Sequence, residues 1–194
     1  MIRSLLLIPV FLLFLVSGSV AASTYAVDTA HSQIHFSVTH LMFFKVRGTF
    51  TEFSGTVDVD PVAQTLTAAK ATISTASVDT RNEKRDEHLR SDDFFDAANH
   101  PTISFTSKSV SGSGDNITVV GDITIRGVTK EITLNGSFVG AMTDHMGNDR
   151  AGFVASGELN RKDFGLNWNR ALETGGVVVG DMVEIGLEIA AVQQ

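Results

Sequence analysis

The sequence predicts an all-β domain, a closed barrel or a sandwich. Apolar and polar residues alternate with period two through eight successive segments. Asn82 to Arg90 is the one convincing helix, short and charged. Turn-type sequences, Gly-Ser-Gly-Asp-Asn at 112–116 and Arg126-Gly127, stand between neighbouring segments, as tight antiparallel hairpins require.

The segments follow in order. Ile34, Phe36 and Val38 share one face, opposite His35, Ser37 and Thr39. Val46, Gly48 and Phe50 begin the second segment. The phase then slips by one and continues through Phe53, Gly55, Val57 and Val59, which predicts a β-bulge. Ala69, Ala71 and Ile73 mark the third, and Ile103 and Phe105 the fourth. The fifth carries Ile117, Val119, Gly121, Ile123 and Ile125, the sixth Ile132, Leu134, Gly136, Phe138 and Gly140. Ala151, Phe153, Ala155, Gly157 and Leu159 form the seventh, and Val183, Ile185, Leu187, Ile189 and Ala191 the eighth. No repeat of fixed period and no linker-like stretch divides residues 23–194, so they are expected to form a single domain.

Residues 1–22 read as a signal peptide. Arg3 supplies a basic start, Leu5 to Val16 an apolar run, and Val20 and Ala22 fit the −3 and −1 positions of a cleavage site. The run is shorter than the roughly 20 residues of a stable membrane span. The expected mature chain is therefore exported, to a periplasm or out of the cell. It carries 14 basic and 22 acidic residues, a net charge of −8. An acidic chain without a basic stretch argues against nucleic acid as a partner. The same charge disfavours long-range attraction to anionic bilayers, so any membrane contact is expected to be local. There is no cysteine, hence no disulfide framework and no thiolate chemistry.

The inward-facing register mixes large residues with Gly48, Gly55, Ala69, Ala71, Gly121, Gly136, Ala151, Ala155 and Gly157. Two readings stand side by side. Either these small residues leave room along a barrel axis, where an eight-stranded barrel holds one small ligand, or the glycines mark bends. A ten-residue strand spans roughly 33 Å, enough for a long, thin molecule.

Catalytic chemistry is thin. No nucleophile elbow, phosphate-binding loop or zinc-type spacing occurs, so no catalytic residue and no metal site are assigned. His31, His35 and His40 lack metal-ligand spacing and read as rim or surface histidines. The charged stretch Arg81 to Asp96 contains Asp86, His88 and Asp92, and reads first as a solvated capping helix, with Phe94 and Phe95 placed to plug a barrel end.

Several motifs together carry a resemblance. DTAHSQIHFSVTHL at 28–41, KVRGTF at 45–50, FSGTVDVDP at 53–61, RDEHLRSDDFFD at 85–96, HPTISF at 100–105, GDITIRGVTKEITL at 121–134, AGFVASGELNRKDFGLNW at 151–168 and ETGGVVVGDMVEIGLEI at 173–189 follow one another along the chain. In that order they resemble the YceI-like family of exported polyisoprenoid-binding proteins. Asp144-His145-Met146-Gly147 departs from the Asp-Pro-Trp-Gly of many relatives, which puts that loop's shape in question.

The resemblance implies a lipocalin-like, eight-stranded antiparallel barrel with one short helix and an apolar tunnel. It implies binding of a polyisoprenoid, an isoprenoid quinone or a similar long-chain amphiphile, for transport or storage, with no enzyme activity and no cofactor. Some relatives are homodimers. On this reading Phe36, Val38, Phe50, Ile73, Phe105, Ile123, Leu134, Phe138, Phe153 and Trp168 are the candidate tail contacts, each equally eligible as plain core. Arg85, His88 and Arg161 are the candidate head-group residues. Two alternatives remain open: a secreted structural or stress-response module without ligand, and an enzyme acting on an amphiphile.

Overall fold

The computed structural model describes residues 22–173 and 175–194. The expected signal peptide lies outside the described residues except for Ala22. Among the described residues there are eleven strands: β1 Ser23–Val27, β2 Gln33–His40, β3 Phe44–Phe50, β4 Phe53–Asp60, β5 Thr65–Ser74, β6 Val78–Asp79, β7 Thr102–Ser113, β8 Asn116–Ile125, β9 Val128–Thr143, β10 Asp149–Asn160 and β11 Val179–Gln193. They run in eight courses. β1 and β2 are one interrupted course, as are β3 with β4 and β5 with β6. β1, β4, β5, β7, β8, β9, β10 and β11 pair in that order, and β1 closes the ring on β11. The long β11 then pairs with β2, β2 with β3, and β3 with β6. Every pairing is antiparallel, so the protein is a closed eight-stranded β-barrel.

The eight expected segments map onto these courses. The phase slip after Phe50 is a break rather than a bulge: Thr51 and Glu52 leave the strand. Their backbone groups pair with the turn after β5, Thr51 N–H donating to Ser77 O and Glu52 O accepting from Ser74 N–H. β1, β6 and the second half of β7 were not legible, because they are short or polar on both faces. The helix, α1 Glu83–Arg90, starts where expected: the Asn82 side chain accepts from the Arg85 N–H at 3.1 Å and caps it. The two-residue turn Arg126-Gly127 has both residues at positive φ, as a tight hairpin needs.

The barrel is divided along its axis. One end is packed with Tyr25, Val57, Val59, Leu66, Ile117, Leu134, Phe138, Phe153 and Ala191, all buried. At the other end β6 pairs only with β3, and α1 and the segment 91–100 connect it to β7. Asp86 fastens α1 there. Its carboxylate accepts from Thr80 N–H at 2.9 Å and from the Thr80 hydroxyl at 2.5 Å. The charged helix is thus not solvated all round, as its sequence suggested; Asp86 is buried because it satisfies Thr80.

Three of the inward glycines follow neither reading. Gly48 lies beneath the Phe36 ring, Gly121 beneath the Phe105 ring, and Gly157 beneath Leu134. They are seats for neighbouring side chains, not open space and not corners. A Cβ on Gly121 would collide with both the Phe105 ring and the carbonyl of Thr106. Gly121→Ala is therefore expected to cost about 1–3 kcal/mol, the range for overpacked cores, as read by urea denaturation. A neutral substitution would show that this seat is loose.

The β9–β10 turn that departs from the family pattern is organised by ion pairs. Asp144 accepts from Arg150 Nε at 2.6 Å and from the Met146 and Asn148 N–H groups, while Arg150 Nη1 reaches Asp28 at 2.8 Å. The Arg150 guanidinium first, and then these N–H groups, hold the Asp144 carboxyl well below the usual carboxylate range. Arg150 lowers Asp28 in the same way. A depressed folded-state pKa contributes stability above the unfolded value of 3.8 and loses it as pH falls towards the folded value. Asp144→Asn is accordingly expected to lower Tm at pH 7, with the gap from wild type closing below pH 3.8. A gap independent of pH would remove the ionic account.

Candidate ligand cavity

At the helix-capped end the strands enclose a cavity of about 300 Å³. Its wall is almost wholly apolar. Ile34, Phe36 and Val38 enter from β2, Val46 and Phe50 from β3, Ile73 from β5, and Ile103 from β7. Ile123 and Ile125 come from β8, Leu159 from β10, and Val183 and Ile185 from β11. These are the inward positions of alternating strands, so the alternation that forms the sheet also builds the wall. α1 and the loop after it add Leu89, Phe94 and Phe95. Phe95 meets Phe50 edge-on at 5.8 Å. Phe94 and Phe95, the pair expected at a barrel end, both line the cavity at this end.

Six of the ten candidate tail residues line the cavity: Phe36, Val38, Phe50, Ile73, Ile123 and Trp168. The other four do not. Phe105 covers Gly121, Leu134 covers Gly157, and Phe138 packs on Phe153 at 5.4 Å between ring centres. Leu134, Phe138 and Phe153 belong to the packed end, whereas Phe105 stands beside Ile123 and leans over Gly121. Among the described residues the cavity therefore occupies one half of the bore rather than the full-length tunnel expected from strand length. Lining residues such as Ile34, Val183 and Ile185 were visible as inward positions but had no feature to separate them from core. Val178 and Val179 sit where a loop enters β11 and gave no signal.

The three head-group candidates meet at this one cavity. Arg161 belongs to a 3-10 turn, Arg161–Phe164, and is 3% exposed. Its Nε donates to Gly180 O at 2.8 Å, and its Nη1 to Leu166 O and Trp168 O at 2.5 and 2.9 Å. Its Nη2 faces Val179 O at 3.5 Å and Asp181 at 3.7 Å. Burial pushes its pKa down, against the pull of Asp181. With its Nε and Nη1 donors given to backbone carbonyls and its Nη2 turned to Val179 and Asp181, Arg161 clamps the wall; this corrects its assignment to a head group. Arg85 differs. Nε and Nη2 bind Thr80 at 2.7 and 2.8 Å, while Nη1 makes no hydrogen bond among the described residues. His88 holds Asp93 through Nε2 at 2.8 Å and stands edge-on to Trp168 at 4.8 Å. Arg85 and His88 are therefore the polar groups at the mouth, with Trp168 and Phe94, 5.3 Å apart, forming its aromatic side. Of the three histidines expected at the rim or surface, His31 pairs with Asp28 at the surface, while His35 and His40 line the cavity.

The YceI-like domain model matches residues 25–191. A UPF0312 protein of Staphylococcus epidermidis is 43% identical over 158 residues, 81% of this chain and 90% of the relative. Among solved structures, the Campylobacter jejuni YCEI protein superposes with a TM-score of 0.71 at 30% identity, covering 80% of this chain and 90% of that one. A polyisoprenoid binding domain from Saccharophagus degradans shares the fold at 18% identity, with a TM-score of 0.63 over 88% of this chain and 98% of that domain. By family match, by sequence and by barrel architecture, the chain belongs to the YceI-like family.

Proposed function

We propose that this protein binds a long-chain amphiphile, a polyisoprenoid, an isoprenoid quinone or a similar lipid, in the helix-capped cavity. It carries or stores that lipid in the periplasm, or outside the cell, after loss of residues 1–22. The apolar cavity in a barrel whose other half is solidly packed is the observation that carries this reading. An interior left open only at one end is a receptacle rather than a loose core. The name of the Saccharophagus degradans domain supports the choice of ligand class.

On this reading the tail packs among Phe36, Val38, Phe50, Ile73, Ile123 and Trp168, and the head group lies at Arg85 and His88. The volume is at the small end of ligand sites, roughly 300–1,000 Å³, so a long chain is held by one segment and its remainder leaves through the mouth. Burial of the held segment contributes about 25 cal/mol per Å² of apolar surface, offset by ordering of the chain. The role is binding without catalysis. Among the described residues, the side chains lining the cavity include no hydroxyl, thiol or carboxylate, and its polar groups are histidines and arginines only.

Native mass spectrometry of protein taken from an exported pool, with mass analysis of its solvent extract, tests this. A stoichiometric amphiphile is the expected result. A clean apo mass, with no uptake of added polyprenyl phosphate or quinone, overturns it.

A further inference from the structure

The turn between β2 and β3 exposes three consecutive large apolar side chains. Met42 is 56% exposed, Phe43 75% and Phe44 57%. Single exposed apolar residues are ordinary, but a contiguous group on a projecting turn is not. The two phenyl rings lie 4.4 Å apart, centre to centre, tilted 43° to each other, and both are exposed. The backbone here favours other residues. Leu41 and Met42 have φ of 50° and 74°, the left-handed region where hairpins ordinarily place Asn or Gly. Turn formation thus gives no reason for Leu-Met-Phe at this place.

The tip is tied to the cavity. Val38 and His40 before it and Val46 after it line the cavity wall. Leu41 N–H donates to Val178 O at 2.8 Å, and Met42 Sδ accepts from Val177 N–H at 3.5 Å. Val178 is itself a lining residue, and Val177 is exposed beside the tip. The exposed apolar surface is therefore continued inward by the same two strands and the segment entering β11. A second exposed apolar group, Val139, Met142, Met146 and Val154, belongs to the β9–β10 hairpin at the packed end, away from the cavity.

We propose that Met42, Phe43 and Phe44 form a docking tip that inserts into the surface of a zwitterionic lipid bilayer and brings the cavity mouth to the membrane for lipid exchange. This rests on the lipid-binding reading above. Charge selects the surface. The cation nearest the tip, Lys45, is paired with Glu184 at 2.6 Å, and the chain as a whole is acidic. Docking is thus by apolar insertion, not by attraction to anionic lipid.

The test is flotation with phosphatidylcholine–phosphatidylethanolamine vesicles, comparing wild type with Phe43→Ser/Phe44→Ser and with Met142→Ser/Met146→Ser. The tip variant is expected to partition on the order of tenfold less or weaker still, with an unchanged unfolding midpoint because both rings are exposed. The packed-end variant is expected to float like wild type. Uptake of a polyprenyl phosphate from vesicles should slow by a similar factor in the tip variant, while equilibrium uptake from detergent solution stays the same. Equal flotation of wild type and tip variant overturns the proposal. So does a wild type that ignores vesicles yet loads from detergent, or a tip that only joins two copies of the chain, seen as loss of a dimer in size-exclusion chromatography. Failure to load from detergent overturns the lipid-binding reading instead, and tip-dependent flotation would then leave a membrane-docking tip without that cargo.

Discussion

Arg161→Ala is expected to destabilise the protein by about 3–5 kcal/mol, the range for breaking a buried charged network. The guanidinium donates to the carbonyls of Leu166, Trp168, Val179 and Gly180. Alanine leaves these acceptors in the wall without donors, and an unpaired buried polar group costs its full desolvation. It also frees the 166–168 segment from the start of β11. Trp168 is the sole tryptophan of the chain, so its fluorescence reports directly on that segment. Denaturant midpoint and emission maximum should both shift. Arg161→Lys should recover only part of the loss, because an ammonium cannot reproduce the planar fork. A cost below about 1 kcal/mol would mean that water replaces the clamp without penalty.

Ile123→Trp is expected to weaken binding of a polyprenyl phosphate by about 100-fold, or roughly 2.7 kcal/mol, with little loss of stability. Ile123 is buried in β8 and faces the cavity, so an indole there occupies ligand space rather than displacing core. Phe138→Ala makes the opposite case. Phe138 packs on Phe153 at the other end. Its loss should cost about 3–5 kcal/mol of stability and leave affinity unchanged. Titration calorimetry paired with urea denaturation separates the two. If Ile123→Trp binds normally, the ligand does not use this half of the barrel. If Phe138→Ala loses affinity, the two halves are not independent.

The contrast between Ile123 and Phe138 shows how far the site was legible. Both stand at inward positions of regular alternations, and nothing in either neighbourhood tells wall from core. Six of the ten tail residues chosen on this basis line the cavity and four do not. The head-group residues repeat the lesson. Arg85, His88 and Arg161 share one cavity, yet Arg161 is held by carbonyls from two separate stretches of backbone, 166–168 and 179–180, which no local pattern announces. Asp86 looked like a solvated helix residue and is the buried fastener of the cap.

The sequence alone determined eight of the strand segments, their two faces, the helix with its Asn82 cap, the tight turns and the family; it left β1, β6 and the second half of β7 unseen. Each of these depends on neighbours within a few positions, where period-two alternation and turn chemistry act. The tertiary structure decided which end of the bore is open, which inward side chains meet a void, and which polar groups are left with a free donor. Those depend on the stagger between strands distant in the chain, and on α1 closing one end where β6 and β7 do not pair. Alternation sets the direction of a side chain; only the register of all eight courses sets its height along the axis.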